Sequence, residues 1–120
     1  MSDSTIPLIV QLSDAQLSAY NAGDIDAFCA CYHDDVQVMD EAGEVSVQGI
    51  SDFRERYGKL FSTCKNVRAG IVSRLQMGNH IVEHEAWQRM APESDQLESG
   101  FVIVRYTEQD GKIRYVEFLR

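Results

Sequence analysis

A chain of 120 residues, 44% of them apolar, has the size and composition of one globular domain with its own hydrophobic core. Its 19 acidic residues outnumber its 11 basic residues and give a formal net charge of −8. Because such a surface repels phosphate backbones and anionic lipids, we expect neither nucleic acid nor membrane partners. The apolar runs are too short to span a bilayer, and the first residues lack the pattern of a secretory signal, so we expect a cytoplasmic protein.

Three helices are predicted in the first half of the chain. Apolar residues recur at helical spacing over residues 5–21, and Ser4 or Thr5 can cap this helix. Gly23 can adopt the left-handed conformation that ends it, and Asp24 can cap a short second helix. A later run of apolar residues at helical spacing predicts a third helix, over residues 51–62.

Strands are predicted between and after these helices. A strand over residues 36–40 and a return strand over 45–47 precede the third helix. From residue 66 onward the apolar pattern alternates, and the Gly78-Asn79 and Asp110-Gly111 pairs are typical of hairpin turns. Four strands are therefore expected, over residues 67–75, 80–90, 97–107 and 112–119.

This order of elements predicts a single α+β domain over residues 1–120. Helices followed by a run of antiparallel strands are typical of α+β folds rather than of alternating β-α-β units. Four long strands form one twisted sheet, and three short helices can cover one of its faces. If the sheet curls around the helices, a pocket for a small molecule remains between them.

The cysteine and histidine spacing favours neither disulfides nor a metal site. Cys29, Cys31 and Cys64 are odd in number, so we expect buried thiols. His80 and His84 have the spacing of a helical zinc pair, but on a strand four residues separate them by roughly 13 Å. Since no Gly-rich phosphate loop or nucleophile motif occurs either, we expect no metal and no cofactor.

Residues 20–61 resemble the first half of ketosteroid isomerases and SnoaL-like polyketide cyclases. The resemblance implies the cone-shaped fold shared with nuclear transport factor 2, in which three N-terminal helices pack on a curved, mainly antiparallel β-sheet. Because this scaffold hosts isomerases, cyclases, hydrolases and non-enzymes, it implies a small-molecule site rather than one reaction. The matching segments are residues 20–26, 32–40, Gly49 with the helix up to Phe61, and the closing strand over 111–118.

Only one of three isomerase site residues is retained in this chain. The base aspartate of those enzymes stands 19 residues after the Asn of the Asn-Ala-Gly-Asp turn and corresponds to Asp40. The oxyanion tyrosine falls on Gln16, and the protonated aspartic acid falls near Val102. Because enolate stabilisation needs such preorganised donors, the resemblance argues against steroid isomerisation itself.

Asp40 and His84 are the candidate acid/base pair. Asp40 ends a strand directed toward the predicted pocket, where a half-buried carboxylate could take a proton next to a carbonyl. Its alternative is a surface aspartate in a polar turn beside Glu41. Matching to the isomerase pattern implies that Val82 and His84 lie on the concave face of their strand. There a neutral imidazole could act as acid or base or orient a ligand, and the alternative is a hydrogen-bonded core histidine.

The pocket wall and a subunit interface are expected on opposite faces of the sheet. Arg56 could bind a ligand carboxylate or phosphate, although a solvated arginine is the common case. Trp87 is expected on the convex face, which favours a homodimer through that face, as in relatives of this superfamily. The candidate ligand-binding residues are Gln16, Tyr20, Tyr32, Arg56, Tyr57, Val82, Val102, Tyr106 and Phe118.

Two functions from different classes follow. The first is a SnoaL-like protein that binds a small, largely apolar organic molecule and performs cofactor-free proton transfer, such as isomerisation, aldol-type cyclisation or dehydration, with Asp40 and His84. The second is a non-catalytic ligand-binding or protein-interaction module on the same fold. A cavity without convergent polar groups, or an outward-facing Asp40, would favour the second.

Overall fold

A computed structural model describes residues 6–119 as three helices packed on one six-stranded sheet. The described part of the chain thus has the α+β, cone-shaped architecture expected from its pattern and its resemblance. No helix within these residues is long and apolar enough to cross a membrane. The helices are α1 (Leu8–Ala22), α2 (Ile25–Cys29) and α3 (Ile50–Thr63).

The sheet is mixed, with strand order β2-β1-β6-β5-β4-β3. The β1–β6 pair is parallel, and the other four pairs are antiparallel. The four late strands therefore form one continuous surface, which β1 and β2 extend at one edge. The strands are β1 (Tyr32–Met39), β2 (Val45–Gln48), β3 (Lys65–Met77), β4 (His80–Met90), β5 (Leu97–Gln109) and β6 (Lys112–Leu119).

The ends of the first two helices follow local backbone chemistry. The carbonyl of Pro7 accepts the first hydrogen bonds of α1, and the caps expected from Ser4 or Thr5 lie outside the described residues. Gly23 ends α1 in the left-handed conformation, with φ of 67°. The carboxylate of Asp24 accepts a hydrogen bond from the backbone of Ala27 at 3.1 Å and caps α2. The predicted turn between these helices is confirmed.

Asn21 fixes the end of α1 to the edge of the sheet. Its side-chain amide donates to the carbonyl of Ala69 at 2.9 Å, and its side-chain oxygen accepts from the Ala69 N–H at 2.7 Å. This pair of bonds satisfies both backbone groups of a residue in β3, as a neighbouring strand would. The helix layer is thereby held over the concave face of the sheet.

The three helices meet the sheet in a cluster of aromatic rings around Phe28. The Phe28 ring centroid lies 5.1 to 5.8 Å from five other rings, and the Phe28 side chain is almost fully buried. Such tilted, edge-on and stacked contacts are favourable beyond the area that they bury. The cluster closes the apolar side of the cone with Tyr20, Tyr32, Phe53, Tyr57 and Phe61.

Strand ends differ modestly from the prediction, and both predicted hairpin turns are confirmed. β1 begins at Tyr32 rather than at residue 36, and β3 extends to Met77. Asp110 and Gly111 both have positive φ, 55° and 86°, as a two-residue hairpin turn requires.

The face assignment expected for β4 is wrong. Ile81, Glu83 and Glu85 point toward the helices, with exposed fractions of 0%, 0% and 7%. They pair with Tyr106, Val104 and Val102 of β5, which belong to the same concave face. Both faces of β4 carry polar and apolar residues, so the strand can bury either face. Here the buried acidic residues are compensated by hydrogen bonds from other elements. The convex face therefore carries His80, Val82, His84 and Ala86.

Candidate functional site

A cavity of about 590 Å³ lies between the concave face of the sheet and the helices. This volume is within the usual range of small-molecule sites. Aromatic and aliphatic side chains form most of its wall, and polar groups converge at its inner end. Eight of the nine predicted ligand-binding residues line it: Gln16, Tyr20, Tyr32, Arg56, Tyr57, Val102, Tyr106 and Phe118.

Val82 and His84 do not reach this cavity, because both lie on the convex face of β4. The imidazole of His84 packs against the ring of Phe101, with 5.4 Å between ring centroids. Phe101 itself is 69% exposed. His84 thus lies in the surface layer on the far side of the sheet.

Asp40 organises a turn instead of facing the cavity. Its Oδ1 accepts hydrogen bonds from the backbone N–H groups of Ala42 and Glu44, each at 3.0 Å. These bonds hold the connection between β1 and β2 and leave Asp40 in the polar-turn role considered as its alternative. The structure therefore does not bring Asp40 and His84 together. Neither of them lines the cavity, whereas the neighbouring Glu41 does.

Trp87 lines the cavity, so its expected position on the convex face is wrong. Its indole lies over Gly100, the residue opposite it on β5. A Cβ atom at Gly100 would come within 2.9 Å of the indole ring, so only glycine leaves room for it. The guanidinium of Arg89 covers the indole from another side, with 5.1 Å between its Cζ and the ring centroid.

The cavity residue best suited to acid/base chemistry is Glu85, which was not among the predicted site residues. Its Oε2 accepts a hydrogen bond from the hydroxyl of Tyr106 at 3.3 Å. Burial, together with the neighbouring carboxyl group of Glu83, raises the pKa of Glu85 to about 8. Tyr106 and Arg74 oppose this shift only in part. At neutral pH the cavity therefore contains a protonated carboxylic acid.

Glu83 lies directly behind Glu85 and is held by groups from two other elements. The guanidinium of Arg74 donates two hydrogen bonds to Oε2 of Glu83, at 2.7 and 3.1 Å, and the hydroxyl of Ser13 donates a third at 2.6 Å. Its Oε1 is buried without a donor among the described residues. The neighbouring carboxyl group on the same face of β4 is that of Glu85, which can donate a hydrogen bond when it is protonated.

Two phenols complete the inner end of the cavity. Tyr32 donates its hydroxyl to Oε1 of Gln16 at 3.0 Å, and Tyr106 donates to Glu85. Burial raises the pKa of Tyr32 and of Tyr106 well above that of a free phenol, so both remain neutral donors over the physiological pH range. Within residues 6–119, no three His, Cys, Asp or Glu side chains are grouped so as to hold a metal ion.

Sequence comparison places this chain within a known family. A family model described as a SnoaL-like domain matches residues 14–116 of the chain. The chain belongs to the SnoaL-like domain family. No curated protein sequence is significantly similar to this SnoaL-like chain.

Solved structures share the fold of this SnoaL-like domain at low sequence identity. An uncharacterized cystatin-fold protein from Novosphingobium aromaticivorans superimposes with a TM-score of 0.84 at 24% identity, covering 97% of this chain and 100% of the other. A delta 5-3-ketosteroid isomerase from Mycobacterium sp. has a TM-score of 0.84 at 16% identity, with coverages of 96% and 94%. A putative polyketide cyclase from Pseudomonas putida has a TM-score of 0.81 at 21% identity, with coverages of 97% and 92%.

A signal for the acidic pair of this SnoaL-like domain was present in the sequence. Glu83 and Glu85 alternate on one face of a strand with Ile81 and Trp87, two large apolar residues that rarely face water together. Burial of that face was therefore a consistent reading of the pattern. Burial of the Glu83 carboxylate requires a cation nearby. Arg74, on the neighbouring strand of the predicted hairpin, lies opposite Glu83 and supplies it.

Proposed function

We propose that this protein binds a small, largely apolar organic molecule in the cavity and moves a proton on it, with Glu85 as the acid/base group. The single observation that carries this proposal is a carboxyl group with a pKa of about 8 in the cavity wall, hydrogen-bonded to Tyr106. A pKa near the working pH is what general acid/base catalysis favours. The ketosteroid isomerase and the putative polyketide cyclase that share this fold support chemistry of this kind.

The proposed step is a proton shuttle next to a carbonyl group. Ionised Glu85 takes a proton from the carbon beside the carbonyl, and the oxygen that gains negative charge accepts a hydrogen bond from Tyr106. Protonated Glu85 then returns a proton, either the same one or one exchanged with water, to that carbon or to another. No proton is gained or lost overall, and the product is the starting compound or its isomer. Because its pKa is raised, ionised Glu85 is a stronger base than a glutamate at the surface.

This assignment moves the acid/base role away from Asp40 and His84. The Asp40 carboxylate is occupied by the turn that follows β1, and His84 lies on the far side of the sheet from the cavity. The proposed reaction is still cofactor-free proton transfer, as the family resemblance implies, and only the residue that performs it has changed. Isomerisation, aldol-type cyclisation and dehydration all begin with proton transfer next to a carbonyl, and Glu85 could serve each of them.

A non-catalytic ligand-binding module is the second candidate. The hydroxyl groups of Tyr32 and Tyr106 already donate to Gln16 and Glu85, so the polar atoms at the inner end are paired within the protein. A molecule without hydrogen-bonding groups could fill such a cavity without disturbing them. Under this reading Glu85 has a structural role only.

Hydrogen–deuterium exchange distinguishes the two candidates. A panel of cyclic ketones and enones is incubated with the protein in deuterated water, and exchange next to the carbonyl is followed by NMR. We expect exchange with the parent protein and its loss in the Glu85→Gln variant, with ketone binding retained. Glu41→Gln is the matched control, because Glu41 also lines the cavity but is exposed. Binding without exchange would favour the module, and exchange that survives Glu85→Gln would refute the assignment of Glu85.

We also propose that the protein forms a homodimer through the convex face of the sheet. Leu75 and Met77 on β3 are 76% and 78% exposed there, and Phe101 on β5, on the other side of β4, is 69% exposed. Large apolar side chains exposed on one face of a sheet are typical of a protein interface. We expect light scattering to give a dimer for the parent and for Leu8→Lys, and a monomer for Phe101→Lys. A monomeric parent, or a Phe101→Lys dimer, would contradict the proposal.

Cysteine usage supports a cytoplasmic location, which we propose on that ground. Cys29 and Cys31 are buried and Cys64 is partly buried, all as free thiols. Free thiols in this number are typical of proteins from reducing compartments. Fractionation of the source cells would test this, and recovery of the protein outside the cytoplasm would contradict it.

A further inference from the structure

Three cationic side chains line the cavity, although the chain as a whole carries a net charge of −8. Arg56 and Lys59 project from α3, and Arg89 projects from β4. All three are exposed, so they lie where the cavity opens to water. We refer to Arg56, Lys59 and Arg89 as the cationic rim. The acidic side chains in the cavity wall are Glu41, which is also exposed, and the buried Glu85.

The rim charges are only weakly engaged by the rest of the protein. Arg56 donates to the carbonyl of Ser46 at 3.4 Å, near the limit for a hydrogen bond. Arg89 approaches Glu98 at 3.6 Å, and about half of each of these side chains is exposed, so this ion pair is weak. Lys59 has no ion pair within residues 6–119. The rim therefore retains capacity for an anion from outside.

The charge of the rim reaches the wall of the cavity. Burial raises the pKa of Tyr20, and Arg89 counteracts part of that effect. Burial raises the pKa of Tyr57 to about 12, and Arg56 counteracts part of it in the same way. Two rim residues, from different elements, are thus close enough to these phenols to stabilise negative charge beside them.

The acidic surface makes this local arrangement informative. A net charge of −8 repels anions at long range, so cations without strong partners at one opening are not explained by the overall composition. The interior behind them is apolar and aromatic, with a neutral acid and neutral phenols at its inner end. The polarity of the cavity thus changes from cationic at the opening to apolar and then to hydrogen-bonding at the far end.

We propose that the ligand is an amphiphilic organic anion, whose anionic group contacts the cationic rim while its apolar body fills the cavity. A carboxylate, sulfonate or phosphate ester meets this requirement, and an oxygen at the opposite end of the molecule would reach Glu85 and Tyr106. The inference rests on the proposed function, because it takes the cavity to be the ligand site. It adds the charge and the orientation of the ligand.

Two fluorescent probes test the charge preference directly. Anilinonaphthalene sulfonate and phenylnaphthylamine share one aromatic framework and differ in the sulfonate, and both fluoresce more strongly in apolar sites. We expect the sulfonate to bind more tightly to the parent protein, and its affinity to fall as salt is added. The triple variant Arg56→Gln, Lys59→Gln, Arg89→Gln should bind the sulfonate about 10-fold more weakly, at about two- to threefold per charge. Its affinity for the neutral probe should be unchanged.

Two control variants locate the effect. Arg54→Gln removes a charge from the same helix, but Arg54 pairs with Asp26 and does not line the cavity, so both affinities should be kept. Phe101→Lys alters the exposed convex face. If this variant binds both probes as tightly as the parent does, the probes do not bind at the convex face. Equal affinity for the two probes, or a rim variant that binds the sulfonate as the parent does, would overturn the inference and leave the apolar site intact. Failure of both probes to bind would overturn the proposed function and the inference together.

Discussion

Glu83 and Glu85 lie two residues apart on the buried face of β4, and the carboxyl group of Glu83 helps to raise the pKa of Glu85. Arg74 and Ser13 donate to Glu83, whereas Tyr106 donates to Glu85. The two acids therefore have different environments, and burial raises the pKa of Glu85, the one that lines the cavity. Consequences for stability and for catalysis follow from this difference.

Stability should depend on pH through Glu85. In the unfolded chain its pKa returns to about 4.5, and in the folded protein it is about 8. Between these values only the folded state holds the proton, so the free energy of unfolding falls as the pH rises from about 4.5 to about 8, and this contribution is constant above that. We expect Glu85→Gln, which is neutral at every pH, to lack this fall and to be more stable than the parent at pH 8.

Thermal unfolding of both proteins across this pH range, followed by circular dichroism, checks the prediction. The informative quantity is the difference between the two curves, because titrating groups that do not interact with Glu85 contribute equally to both. Glu117→Gln is the control, since Glu117 pairs with Arg105 on the convex face. Parallel curves for the parent and Glu85→Gln would show that the buried carboxyl group titrates normally.

If Glu85 is the base, the rate of proton exchange should follow its ionised fraction. We expect the rate on a bound ketone to increase about tenfold per pH unit below pH 8 and to level off above it. Glu83→Gln removes the neighbouring charge that helps to raise the pKa of Glu85, so the midpoint should shift to lower pH. The measurement is the pH profile of exchange by NMR. An unshifted midpoint in Glu83→Gln would mean that Glu83 does not tune the base.

Arg74 should be among the most important polar residues for stability. It neutralises Glu83, which is fully buried, and its removal would leave an uncompensated charge inside the protein. We expect Arg74→Ala to lower the free energy of unfolding by about 3 kcal/mol or more. Urea denaturation measures this loss. Adding Glu83→Gln to Arg74→Ala should restore a large part of it, because the uncompensated charge is then gone.

Asp14→Asn provides the comparison for this effect. Asp14 also pairs with Arg74, at 2.9 Å, but its side chain is mostly exposed. Such surface pairs contribute about 0 to 1 kcal/mol. A loss for Asp14→Asn as large as that for Arg74→Ala would mean that the surface pair, and not the buried one, carries the stability.

The fold was readable from the sequence because its local signals agree with one another. Helix caps at Gly23 and Asp24, and turn residues at Asp110 and Gly111, each act within a few residues and mark the element boundaries. The alternation from residue 66 onward predicted the long strands. Where short-range preferences coincide with the hydrophobic pattern, the sequence specifies the elements and their order.

The face of β4 was not readable in the same way. His84 and Glu85 are adjacent in β4 and therefore lie on opposite faces, and each face carries both polar and apolar residues. Which face is buried depends on the partners that the other strands provide for those polar residues. The pairing of Glu83 with Val104 depends on the register between β4 and β5, and the loop joining these strands is too long for turn geometry to fix that register. The acid of the cavity was missed because its partners are distant in the chain.

Gly100 should be required for the position of Trp87. The Cβ of an alanine at residue 100 would lie 2.9 to 3.1 Å from three atoms of the indole, so the ring must move. We expect Gly100→Ala to cost about 1–3 kcal/mol by overpacking and to shift the fluorescence of Trp87, the single tryptophan of the chain. Gly70→Ala is the matched control on β3, because no atom lies within 4 Å of its added Cβ and its φ is not positive. If the two alanine variants were equally stable and equally fluorescent, the close packing of the indole against β5 would be disproved, and with it the position of Trp87 in the cavity wall.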